Sequence, residues 1–186
     1  ARRMGGAEKA LLDLGGRPII AHVITRLGVA RAISANGDPA RLARFSLPVL
    51  PDEVPDRPGP LAGVLAGMEW AAMQGFSHIV TAAADTPFFP PALLSRLIAG
   101  LAGHAIALAA TPDAGGMRPH PTFGIWDVGL RADLRRALHD EGMRKAAAWA
   151  DRHGAARIRF DDPEAFFNIN TPQDLAIARA RLAATR

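Results

Sequence analysis

The sequence predicts an α/β fold, a single-domain three-layer sandwich on a mostly parallel sheet. Helix-periodic and strand-like segments alternate along the whole chain. Several of the strand-like runs are apolar without alternation, as strands covered on both faces require. The chain has 186 residues, 49% hydrophobic and 22% charged, which suits one globular domain with a large core.

Each element follows from local pattern. Ile20, Val23, Ile24 and Leu27 recur at i, i+3, i+4 and i+7, with Pro18 at the first helical turn. Leu61, Val64, Leu65 and Met68 repeat that spacing, as do Leu94, Leu97, Ile98 and Leu101 in a helix expected over 90–101. Leu130, Leu134 and Leu138 form a further stripe, and Leu175, Ala178 and Leu182 another. Strand-like runs lie between them at 30–35, 48–50, 78–84, 105–110, 122–126 and 155–160. In the last, Ile158 and Phe160 alternate with Arg157 and Arg159, which predicts a half-exposed strand near a sheet edge. The proline-rich segment 51–60 and the segment 112–121 read as long loops, a class that tends to be functional.

Composition excludes several function classes. The chain has no cysteine, which rules out disulfides and thiolate metal sites and fits a cytoplasmic protein. Its six histidines show no zinc-type spacing. No apolar run is long enough to span a bilayer and no secretory signal is visible, so no membrane role is expected. A net charge of +4 favours anionic partners. The arginines are scattered and aromatics make up only 6%, so a small anionic substrate fits better than nucleic acid.

Chemistry concentrates in a few segments. Arg2-Arg3-Met4-Gly5-Gly6-Ala7-Glu8-Lys9 is a basic glycine loop, where backbone N–H groups can turn toward an anion and cations supply countercharge. Of the 22 Lys and Arg residues only Lys9 and Lys145 are lysines. A compact ammonium is thus kept at Lys9, where it acts on phosphate as a point charge. Taken alone the segment also reads as a solvated tail. Asp85-Thr86-Pro87 ends a strand-like run, the place where α/β sheets bind ligands, and a carboxylate there can hold Mg²⁺ against phosphates. It can equally start a turn.

Thr171, Pro172 and Asp174 carry the pattern of an N-cap, an N1 proline and a capping box. That does not account for Asn168 and Asn170, two amides on the same side of an extended segment. Gly59-Pro60-Leu61-Ala62-Gly63 opens a helix whose N-terminus attracts an anion or a base carbonyl, or is a simple loop junction. Gly142-Met143-Arg144-Lys145 is a phosphate contact or a solvated corner, and His120-Pro121 precedes a strand. Neither a P-loop nor a nucleophile-elbow motif occurs.

In this order the segments resemble the molybdenum cofactor guanylyltransferase family. Its signature loop reads roughly L-A-G-G-x-x-x-R-M-G-x-x-K, and Arg3, Met4, Gly5, Gly6 and Lys9 match the second half. Further matches are Gly16-Arg17-Pro18, Ser34-Ala35-Asn36, Asp52, residues 59–63, Asp85-Thr86-Pro87, His120-Pro121, Arg144-Lys145 and Asn168-Ile169-Asn170-Thr171-Pro172. Ser34 stands where family members often have asparagine, and the Leu-Ala-Gly-Gly half of the loop is absent. One nucleotidyltransferase domain over 1–186, lacking its N-terminal strand and the first half of its glycine loop, is therefore expected.

The resemblance implies a Rossmann-like nucleotidyltransferase fold and Mg²⁺-dependent transfer of GMP from GTP to molybdopterin with release of pyrophosphate. It implies that Asp85 binds the metal, and that Lys9 and Arg3 neutralise phosphate charge beside Gly5 and Gly6. Ser34, Asn36, Asp52, Pro60, Leu61, Ala62 and Gly63 would complete the nucleotide site. Asn168, Asn170, Arg144 and Lys145 would face the pterin. Molybdoenzymes or cofactor-delivery proteins are the partners it suggests. A cytidylyltransferase or other nucleotidyltransferase, a non-catalytic molybdopterin carrier and an RNA-binding module are the competing readings.

Overall fold

A computed structural model describes residues 9–52 and 59–184. Arg3, Gly5 and Gly6 therefore lie outside the described residues, as does most of the 51–60 loop. Two short strands, β1 (Asp13–Leu14) and β2 (Arg17–Pro18), form an antiparallel hairpin. Its two-residue turn needs positive φ at both positions, which Gly15 and Gly16 supply. Pro18 is the N-cap of α1 (Ile19–Leu27), and the left-handed Gly28 ends that helix by donating its N–H to the Ile24 carbonyl.

Strands β3 (Ile33–Ser34) and β4 (Val49–Leu50) pair in parallel, bridged by a 3₁₀ segment over Pro39–Phe45 that Asp38 caps. Next come α2 (Pro60–Met73), β5 (His78–Thr81) and α3 (Leu93–Gly100). α3 starts later than expected and buries Leu93 and Leu97, leaving Ile98 exposed. β6 (Ile106–Asp113) and β7 (Gly116–Asp127) form a long antiparallel hairpin. α4 (Arg131–His139), α5 (Ala146–Arg152), β8 (Ala156–Arg159) and α6 (Pro172–Ala183) complete the described chain.

The larger sheet has the order β5-β7-β6-β8. β6 pairs with β8 in parallel, whereas β7 is antiparallel to both β5 and β6. β5, β6 and β8 therefore run one way and β7 alone runs back. The segment 112–121, expected as a loop, is instead the outer half of the β6–β7 hairpin. Its three prolines, Pro112, Pro119 and Pro121, mislead because that half extends past β5 and β8, so β6 and β7 each keep one free edge there that tolerates a missing N–H. β8 is an edge strand, as its alternation predicts.

Side-chain alternation along β6 builds the layers. Ile106 and Leu108 face a core shared with α2, α4 and α5, which includes Trp126 and Trp149. Ala107 and Ala109 face the opposite core, with Val23 of α1, Leu93 and Leu97 of α3, and Phe89, Phe123 and Phe166. Trp126 and Trp149 stack at 6.1 Å. Their ring N–H groups are satisfied, Trp126 by the Thr81 hydroxyl at 2.9 Å and Trp149 by Asp133 at 3.1 Å. Burial pushes the Asp133 carboxyl up, but the hydrogen bonds from Trp149 and His153 and the charge of Arg136 outweigh it and hold it below its ordinary value.

Candidate active site

Three distant segments meet at the carboxyl end of β5. The Lys9 ammonium donates to Asp85 Oδ2 at 2.6 Å and to Asn170 Oδ1 at 2.6 Å. Lys9 and Asp85 are each about one-fifth exposed, so the pair is sheltered yet reachable. The Thr86 hydroxyl, itself buried, donates to Asp85 Oδ1 at 3.3 Å. Both carboxylate oxygens are thus oriented before any ligand arrives.

The second side of the site is held by backbone. Ile169 donates its N–H to the Asp85 carbonyl at 3.0 Å and is fully buried with Leu14, Ile19, Leu175 and Ala178. That anchor leaves Asn168 and Asn170, one on each side, exposed. Thr171 and Asp174 form the full capping box of α6. Asp174 also accepts the Asn170 N–H at 2.9 Å, extending the box by one residue toward the site. That N–H, followed by the Thr171 hydroxyl, holds the Asp174 carboxyl below its ordinary value. The capping pattern was legible in sequence. Its reach to Asn170, and the support that Thr86 gives Asp85, were not, and an Asp-Thr dipeptide after an apolar strand is the only signal that hinted at the latter.

A second polar group lies at the carboxyl ends of β3 and β4. Asn36 donates its amide to Asp52 Oδ2 at 2.9 Å and accepts the Asp52 N–H at 2.8 Å. Ser34 Oγ lies 3.5 Å from Asp52 Oδ1. A Cβ on Gly63 would fall 2.7 Å from Ser34 Oγ, so any larger residue there would have to displace the Ser34 hydroxyl from its place beside Asp52. Ser34, Asp52, Pro60 and Gly63 line one cavity of about 480 Å³. Leu61 and Ala62 turn their side chains into the core, which leaves only their backbone for a ligand.

Two expected contributors lie elsewhere. Arg144 and Lys145 sit in the loop before α5, in the layer of α2 and α4, and no hydrogen bond or ion pair among the described residues joins them to Asn168 or Asn170. His120 is a core residue: it is buried, lies 2.9 Å from the Thr111 hydroxyl and stacks on Phe166 at 4.4 Å. Burial, helped by the charge of Arg118, lowers its pKa to about 4. Among the described residues no cluster of His, Cys, Asp or Glu forms a ready-made metal cage, and no helix is long and apolar enough to cross a membrane.

Comparison with known proteins gives the family and the fold. Residues 1–156 match the family model described as the MobA-like NTP transferase domain. A protein named molybdenum cofactor guanylyltransferase from Cereibacter sphaeroides is 51% identical over 97% of this chain and 91% of its own length. Another of that name from Mesorhizobium japonicum is 46% identical, over 98% and 90%. The crystal structure of molybdopterin-guanine dinucleotide biosynthesis protein A from Archaeoglobus fulgidus superposes with TM-score 0.74 at 25% identity, covering 96% of this chain and 92% of that one. The same fold, at 13% identity, is shared by 4-diphosphocytidyl-2C-methyl-D-erythritol synthase from Anaerococcus prevotii, with TM-score 0.75 over 97% and 94% of the two chains.

Proposed function

Because the chain belongs to the molybdenum cofactor guanylyltransferases within the MobA-like NTP transferase family, we propose that it transfers GMP from GTP to molybdopterin. The terminal phosphate oxygen of the pterin attacks the α-phosphorus of GTP. A new P–O bond forms, the bond to the β-phosphate breaks, and pyrophosphate leaves. The attacking phosphate is already ionised, so no general base is required. Placing two anions in line and compensating their charge is the whole task.

The observation that carries this reading is the convergence of Lys9, Asp85 and Asn170. Mg²⁺ is usually bound by one or two carboxylates plus substrate phosphates, and a single oriented carboxylate such as Asp85 fits that donor set. Held there, the ion would supply neutralisation of phosphate charge. Lys9 then exchanges its bond to Asp85 for the phosphates of the nucleotide, with Arg3, Gly5 and Gly6 closing the loop over them. Ser34, Asn36 and Asp52 take the guanosine, with Pro60 and Gly63 at its edge. Asn168 and Asn170 take the pterin; Arg144 and Lys145, in the layer of α2 and α4, are not part of that contact. The product goes to molybdoenzymes or cofactor-delivery proteins.

Incubating the protein with molybdopterin, Mg²⁺ and either GTP or CTP tests the assignment. Pyrophosphate released with GTP alone is the expected outcome. Consumption of CTP alone makes the chain a cytidylyltransferase, and pterin binding without turnover of either nucleotide makes it a carrier.

A further inference from the structure

The acceptor in the proposed reaction is itself a phosphomonoester, yet Asn168 and Asn170, placed beside it, are neutral amides. Lys9 is engaged by Asp85 and Asn170, and Arg144 and Lys145 lie in another layer. A second anion brought up to a triphosphate is repelled unless a cation of its own receives it. The outer half of the β6–β7 hairpin carries such a cation. β7 pairs with β5 from His78↔Asp127 to Thr81↔Gly124, antiparallel. Residues 116–123 therefore run on beyond the carboxyl end of β5, the end that carries Asp85.

In that stretch Arg118 stands opposite Thr111 of β6, and His120 opposite Ala109. Cross-strand partners share a face, as do residues two apart, so Arg118, His120 and Thr111 occupy one face of the hairpin. It is the face of the core that holds Ala109 and Phe166. The Thr111 hydroxyl lies 2.9 Å from His120 Nε2, and the His120 ring stacks on Phe166 at 4.4 Å, two residues before Asn168. Arg118 is near enough for its charge to act on that ring. Its own side chain is exposed, and no hydrogen bond or ion pair among the described residues holds it. Arg152, Arg157 and Arg159, by contrast, each pair with an acid. Asp113, further along β6, accepts the Ala114 N–H at 2.7 Å instead.

Sheet order decides which substrate this guanidinium can meet. β5 is an edge strand whose one neighbour is β7, and the cavity of Ser34 and Asp52 opens along its other side. The group placed at the guanosine and Arg118 are therefore separated by β5 and Asp85. Resting on the transfer reading above, we propose that Arg118 binds the phosphate of the acceptor pterin and brings it to Asp85 from the hairpin side. A guanidinium fork donates two parallel N–H bonds to two oxygens of a phosphomonoester. The third terminal oxygen is then left to face the α-phosphorus of the nucleotide. His120 and Thr111 position the strand that carries Arg118 against the segment that carries Asn168.

Calorimetric titration of the full chain with molybdopterin, and with the same pterin freed of its phosphate by a phosphatase, tests the contact without nucleotide present. Arg118→Ala should weaken binding of the intact pterin about tenfold or more, at unchanged GTP affinity and melting temperature. Removing the phosphate should weaken the wild-type protein by a similar factor and leave the variant almost unaffected. Equal losses for the two pterins, an unaltered dissociation constant, or a fall in GTP affinity overturns the assignment. Wild-type protein that binds the pterin but transfers no GMP would sink the transfer reading alone, with Arg118 still decided by the two titrations. Wild-type protein that binds no pterin would sink both.

Discussion

Lys9 sits between two acceptors distant from it in sequence, Asp85 and Asn170, and this shapes what its removal should do. An exposed or half-exposed ion pair adds little to stability. Charge compensation at a sheltered reacting phosphate is worth far more, commonly ~2.7–4 kcal/mol for a single donor. Lys9→Ala should therefore lower kcat for GMP transfer by about 10²–10³-fold with little change in melting temperature. Steady-state pyrophosphate release beside a thermal melt checks both halves. Lys9→Arg should not restore the rate, since a planar fork cannot replace a point charge. Lys9 stood out in the sequence by its rarity and its place after a glycine pair. Its contact with Asn170, 161 residues away, was not, because nothing local encodes that distance.

Among the elements, α6 is the one whose start matters most to the site. Its capping box holds Thr171 and Asp174 in reciprocal hydrogen bonds, and Asp174 also grips the Asn170 N–H. Loss of a threonine N-cap costs about 1 kcal/mol. Thr171→Ala should lower stability by that amount in urea unfolding, and it should also loosen Asn170 and raise the KM for the pterin substrate. A stability loss with an unchanged KM would confine the box to a structural role. The cap could be read from four residues of sequence, since capping is a local affair. The β6–β7 hairpin could not, because Pro112 and Pro119 are loop-formers by local rule. They are tolerated there because the outer parts of β6 and β7 each have a free edge, which is a property of the assembled sheet.

At the scale of the whole molecule, stability should carry the signature of one buried ring. His120 stacks on Phe166 in the core, and burial lowers its pKa from 6.5 to about 4. Between those values the unfolded chain binds a proton that the folded chain refuses. The contribution of His120 is thus fully present above pH 6.5 and is lost as the pH falls toward about 4. Urea midpoints should fall across that window, and His120→Gln should flatten the fall; equal slopes in the two proteins would remove His120 as the cause. The chain by itself determined the alternation of helices and strands and the capping box of α6, because periodicity and turn chemistry are written locally. Only the tertiary structure decided that β7 runs against its neighbours, that Thr86 supports Asp85, and that Arg144 and Lys145 lie in a different layer from Asn168 and Asn170. Those facts depend on long-range burial and strand pairing, whose free energy appears only when segments distant in sequence exclude water together.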